Sequence, residues 1–156
     1  MPFLPFQSEV LVTGLEKSEV LQRLDLVTRN VNFLDYEARQ KKGFEFNGIV
    51  HQDGFRLSLV IDKADSFLPL IQGKVEESGK GSILFLEYKL FPGSVFFLGF
   101  WTIVTLVLFF FFGLMAEKPL YALVSLALGI SNYLFAWSHF KRKTKSSQEI
   151  FHRLLQ

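Results

Sequence analysis

Between Phe91 and Phe140 the only Asp, Glu, Lys or Arg residues are the adjacent pair Glu117 and Lys118. The run divides around that pair into two apolar stretches, 93–115 and 120–139, of 23 and 20 residues. A bilayer core about 30 Å thick takes roughly 20 residues of helix, so either stretch is long enough to cross it. The connector, 116–119, admits only a tight turn between antiparallel helices. Pro119 suits the first turn of the second helix, where a missing N–H leaves no bond unmade. The rest of the chain is too small to enclose two helices that are apolar on every side. The sequence therefore predicts a transmembrane hairpin over 91–140.

Flanking charge orients the hairpin. Lys74, Lys80 and Lys89 precede the first span, and Lys141, Arg142, Lys143, Lys145 and Arg153 follow the second, while the turn carries Lys118 alone. The expected placement is a multi-pass protein of the inner (plasma) membrane with both termini cytoplasmic. Tyr121 and Trp137 fall near the two ends of the second span, where amphipathic rings belong.

The second span carries Ala122, Ser125, Gly129, Asn132 and Ala136, spaced 3-4-3-4 along one helical stripe. Helices in lipid have no hydrophobic reason to associate, so small residues and polar cross-links decide where they touch. In an antiparallel hairpin closed at 116–119, Gly129 lies level with Thr105 and Asn132 with Thr102. These seven residues are the expected packing surface, with Asn132 hydrogen-bonding toward Thr102. A second subunit is the alternative partner for the stripe.

Residues 1–90 contain 11 Lys/Arg and 13 Asp/Glu, which gives no sustained basic face and argues against nucleic acid. They read as a small α+β domain. A strand at 8–13 precedes a helix at 15–28, for which Thr13 and Glu16 have capping-box spacing. The stretch 29–42 reads as a loop. From Gly43 the apolar period becomes two, with turns at 52–54, 62–66 and 78–81, giving a four-strand antiparallel meander. Pro69 belongs at an edge or irregularity of its strand. Phe91-Pro92-Gly93 leads into the first span with no long linker. The tail, 141–156, opens with the basic cluster Lys141, Arg142, Lys143 and Lys145, placed to meet anionic headgroups. Ser146 and Glu149 offer a second capping box, and Ile150, Phe151, Leu154 and Leu155 form the apolar face of a short amphipathic helix. Too short to stand alone, that helix is expected to dock on the open sheet face, with the membrane interface or a partner as alternatives.

Chemistry is sparse. With no cysteine, disulfides and thiolate metal sites are excluded. The stretch 73–82 approaches a phosphate-binding loop but has the wrong glycine spacing and joins two strands. His51, His139 and His152 share no metal-ligand spacing. His51 with Asp53, Arg56, or the pair Asp62 and Asp65, are the candidates for acid–base work. No catalytic motif is recognisable, and no cofactor or metal is expected.

The run 54–101, with Ser66, Phe67, Leu68, Pro69 and Gly73 matching an "SFLP…G" strand, resembles small uncharacterised bacterial membrane proteins in which a β-rich cytoplasmic segment leads into a two-span hairpin. That resemblance implies the architecture and a bacterial origin, and no activity. The expected function is that of an accessory or scaffold protein presenting a cytoplasmic domain at the membrane. Its partners would be membrane lipids and a protein or a second copy. The alternative is binding of a lipid or apolar ligand in a cavity lined by Phe44, Phe46, Phe55, Phe67 and Phe85.

Overall fold

The computed structural model describes residues 4–30, 43–61 and 65–156. Six strands form one sheet: β1 (Phe6–Thr13), β2 (Thr28–Arg29), β3 (Phe46–His51), β4 (Gly54–Leu59), β5 (Pro69–Ser78) and β6 (Gly81–Leu90), in the order β1-β6-β5-β4-β3-β2. The meander β3 to β6 is antiparallel throughout, and β1 returns to pair antiparallel with β6. The two-residue β2, which nothing in the sequence announced, pairs parallel with β3. Pro69 opens β5, the one place in a strand where a missing donor costs no ladder bond. Most of the stretch expected as loop at 29–42, together with Asp62, lies outside the described residues.

Period-two alternation gives the sheet two unlike faces. Leu11, Phe46, Phe55, Leu57, Ile71, Val75, Leu84, Leu86 and Tyr88 are buried on one face. That inner face is covered by α1 (Lys17–Val27), through Val20 and Leu24, and by the end of the last helix, through Phe151 and Leu155. Phe151 is completely buried, its ring 5.1 Å from Phe46 and 5.6 Å from Phe55. Burying such a ring contributes about 1.5–3 kcal/mol. Gly73 is what lets Phe55 lie flat on β5: a Cβ there would come within 2.1 Å of the Phe55 ring. On the opposite, outer face, Val10, Val12 and Phe85 are exposed.

From β6 the chain passes directly into α2 (Pro92–Phe110), extended by a π-helical turn at Phe111–Met115, and then into α3 (Pro119–Leu155). Both helices are long and apolar enough to cross a membrane. The turn between them is tight: the Lys118 N–H donates to the Phe112 carbonyl at 2.8 Å, and Glu117 takes a left-handed φ of 51°.

Three local expectations are corrected. The first helix begins at Lys17, with Glu16 in the capping position and no side-chain cap. Thr13 ends β1 instead, and its hydroxyl donates to the Leu155 carbonyl at 2.6 Å. The short tail helix does not exist as a separate element, because α3 runs unbroken for 37 residues, about 55 Å at 1.5 Å per residue. Ser146 and Ser147 do not cap; their hydroxyls donate back to the Arg142 and Lys143 carbonyls at 3.2 and 3.0 Å. An N-cap needs a non-helical backbone. The turn before Ser146, without glycine or proline and with arginine and lysine at three of its four positions, offers no reason to leave the helix.

Candidate functional site

The polar and aromatic side chains that chemistry could use gather along α3, where it meets the sheet. The first group lies at the mouth of the hairpin. Asp65, in the connection before β5, accepts the Phe67 N–H on Oδ1 at 2.9 Å, the local turn that aspartate favours. Its Oδ2 lies 3.1 Å from His139 Nδ1 on α3, with the carboxylate 9% and the imidazole 25% exposed. The same turn drives Phe67 into the hairpin, 6.1 Å from Phe97 on α2 and 6.2 Å from Phe135 on α3. Phe135 in turn stacks on His139 at 5.4 Å. One short connection thus sets an aromatic ring against the entry ends of both long helices.

A second group sits further along α3. The Glu9 carboxylate, on the inner face of β1, accepts from Gln148 Nε2 at 2.9 Å and from the Tyr88 hydroxyl at 3.3 Å, and lies 3.0 Å from His152 Nε2. Tyr88 is fully buried. Burial, reinforced by the adjacent Glu9 charge, holds its phenol protonated well beyond the ordinary tyrosine range. The end of α3 is fastened as well. Arg23 Nη1 donates to the Leu154 carbonyl at 3.1 Å, and Arg153 pairs with Glu45 at 3.0 Å. Cations and hydroxyls at a helix C-terminus satisfy carbonyls that have no partner within the helix.

Each histidine–carboxylate pair has the spacing of an acid–base dyad. Among the described residues the first is flanked by phenylalanine rings and the second, with its imidazole 41% exposed, by an amide and a phenol. Among the described residues no group of three His, Asp or Glu could hold a metal ion. The Glu9 group fastens α3 to β1, while Asp65 lies close to His139 without a hydrogen bond between them.

The remaining sequence candidates fall as follows. Asp53 is bound to Lys17 at 2.6 Å, and that hydrogen bond and charge hold its carboxyl below the ordinary value. His51 and Arg56 are exposed and do not converge with Asp65. Of the five phenylalanines proposed to line a cavity, Phe46 and Phe55 pack on Phe151, Phe67 fills the hairpin mouth, and Phe85 lies on the outer face. Phe44 is half-buried, and Phe46, Phe55 and Phe67 belong to one core cluster. On α3, Ala122, Ser125 and Ala136 are buried, and Gly129 lies against Thr105, whose Oγ1 would be 2.6 Å from an added Cβ. Thr102 and Thr105 donate to the Leu98 and Trp101 carbonyls of their own helix. Among the described residues no hydrogen bond joins Asn132 to Thr102. Lys141, Arg142 and Lys145 are exposed and Lys143 half-exposed, with the Lys141 ammonium 5.5 Å from the centre of the Trp137 ring.

Sequence reasoning missed both groups. Glu9 and His152 are 143 positions apart, and the only local hint was a carboxylate in a turn and a histidine at the end of a span. No protein-family model matches the chain, and no curated protein or solved structure matches it either.

Proposed function

We propose that this is an integral inner-membrane accessory protein that holds its small α+β domain at the cytoplasmic surface, where the outer face of β1 and β6 receives a protein partner. The observation that carries the reading is the continuity of α3. One helix serves both as half of the apolar hairpin and as a buried element of the sheet domain. A domain built that way cannot swing on a tether. Its position relative to the hairpin is supported by Phe67, Phe140, Phe151 and the contact of Glu9 with Gln148 and His152. The first strand and the end of α3 meet through Thr13 and Leu155, so both lie on one side of a hairpin that crosses the bilayer. The excess of Lys and Arg on that side favours the cytoplasm.

The partner surface is argued from exposure. β1 is an edge strand of eight residues, and beside it Val10 stands opposite Phe85 and Val12 opposite Ile83. Soluble domains blunt such edges with charge, proline or a cover, and here Val10 and Val12 remain 59% and 67% exposed. The test is native mass spectrometry of the full chain released from its own membrane in lipid nanodiscs. A stoichiometric second protein, lost with Val12→Lys but kept with Leu26→Lys on exposed α1, is the expected result. A bare monomer, or a partner indifferent to both changes, would sink the reading.

A further inference from the structure

We infer that the chain has a third lipid contact besides its two long helices: the entry to β1, carried by Leu4 and Phe6, seats in the headgroup layer of the leaflet that the hairpin enters. The inference rests on the reading that the hairpin crosses a bilayer.

The strand register fixes the level of this segment. Phe6 pairs with Lys89, and Pro92, the first residue of α2, follows three positions later. At about 3.3 Å per residue, Phe6 stands roughly 10 Å above the start of the helix, and Leu4 precedes it by two residues on the side nearer the hairpin. The contact of Gly129 with Thr105 sets α2 and α3 in antiparallel register, which brings Lys141 and Arg142 level with Pro92 and Gly93. Leu4, Lys89, Lys141 and Arg142 therefore lie in one shallow layer around the hairpin mouth.

The chemistry of that layer matches an interface. Leu4 and Phe6 are 37% and 39% exposed, although both stand beside a sheet with a well-filled inner face. Phe96, in the first turns of α2, is exposed as well, so the start of the first long helix is also apolar on its surface. The flanking cations suit anionic headgroups at about 1 kcal/mol each. Lys141 lies over Trp137, the ring-and-cation pairing suited to the boundary between hydrocarbon and water. Interfacial binding of this kind scales with buried apolar area plus attraction to anionic lipid. Two exposed side chains and the cations Lys141 and Arg142 supply both, Lys89 being paired with Glu87.

The experiment uses the full chain in vesicles of phosphatidylcholine and phosphatidylglycerol, with Trp101→Phe and Trp137→Phe removing the native indoles. Leu4→Trp is compared with Val12→Trp, which reports from the far end of β1. Separate vesicle sets carry bromine near the lipid carbonyls or near the chain ends. For Leu4→Trp, quenching by the shallow bromines at least about twofold greater than for Val12→Trp, and greater than by the deep bromines, is expected. A chain retaining Trp101 alone should be quenched by the deep bromines. Leu4→Trp quenched no better than Val12→Trp, while Trp101 is quenched, overturns the inference and leaves the hairpin standing. Leu4→Trp shielded from both bromines and aqueous quencher overturns it too, since protein would then cover the site. If Trp101 itself escapes the deep bromines, the membrane reading fails and this inference with it.

Discussion

Along the first half of α3 the large apolar side chains point outward. Leu123, Val124, Leu128, Ile130, Leu134 and Phe135 are exposed, while the buried positions are Ala122, Ser125 and Ala136. Beyond that half bulk is buried as well. Phe140, Phe151 and Leu155 are buried beside the small Thr144 and Ser147, and Lys141, Arg142 and Lys145 are exposed. No break in the helix separates the two halves, so helical periodicity is not what differs. The second half hides bulk because water penalises exposed hydrocarbon. The first half hides small residues, the pattern suited to a helix in surroundings as apolar as leucine, where close approach is what packing can still gain. The changeover falls at Trp137 to Lys141, where the aromatic ring, His139 and the first cation stand.

The sharpest way to break this comparison is to truncate one large side chain in each half. Phe151→Ala should destabilise the sheet domain by about 3–5 kcal/mol, read as lost hydrogen-exchange protection in β3 and β4. Leu128→Ala, at a site 62% exposed, should stay within about 0.5 kcal/mol. Equal losses would mean that the first half is packed like the second. A smaller effect is expected where small residues meet. Gly129→Ala places a Cβ 2.6 Å from Thr105 Oγ1 and should loosen the hairpin by about 1–3 kcal/mol. Thr105→Ala in the same chain should recover part of that. Absence of recovery, followed by hydrogen exchange in α2, would move the contact elsewhere.

The domain half also makes pH predictions that the hairpin half does not. Tyr88 holds its proton in the fold above the ordinary value of 10.0, so above that pH the folded chain binds a proton that the unfolded chain has released. Stability should therefore decline as pH rises past about 10. Its phenolate absorbance should appear only with unfolding, and Tyr88→Phe should remove this part of the decline. Asp53 behaves oppositely and more weakly. Lys17 holds its folded value below the ordinary 3.8, so its stabilisation is present above that pH and fades as the pH falls through the lower folded value. Asp53→Asn should flatten that acid limb slightly, and an unchanged limb would show the pair to be solvated.

The hairpin, its turn and the meander were legible because length and period determine them locally. The continuity of α3 was not. Ser146 and Glu149 have the spacing of a helix start, and only the hydroxyl bonds to Arg142 and Lys143 reveal a helix already under way. Thr13 misled for a different reason: the helix starts only at Lys17, so the hydroxyl accepts the Leu15 N–H in a local turn and donates to the Leu155 carbonyl at the far end of the chain. The pairs Asp65–His139 and Glu9–His152 were beyond sequence reading altogether, since each joins a turn or strand to a helix through the tertiary fold alone.

The burial of Phe151 has a consequence for the order of biosynthesis. The six strands are complete once Leu90 has been made, yet the side chain that closes their inner face lies near the end of the second long helix. At about 5–20 residues per second, the ring arrives roughly 3–12 seconds after the last strand. Until then Phe46 and Phe55 have no cover from α3, and the sheet waits open beside the translating ribosome. Closure of the core thus becomes a signal that the hairpin has been synthesised. A chain arrested before that point carries an unfinished sheet that chaperones and proteases can recognise.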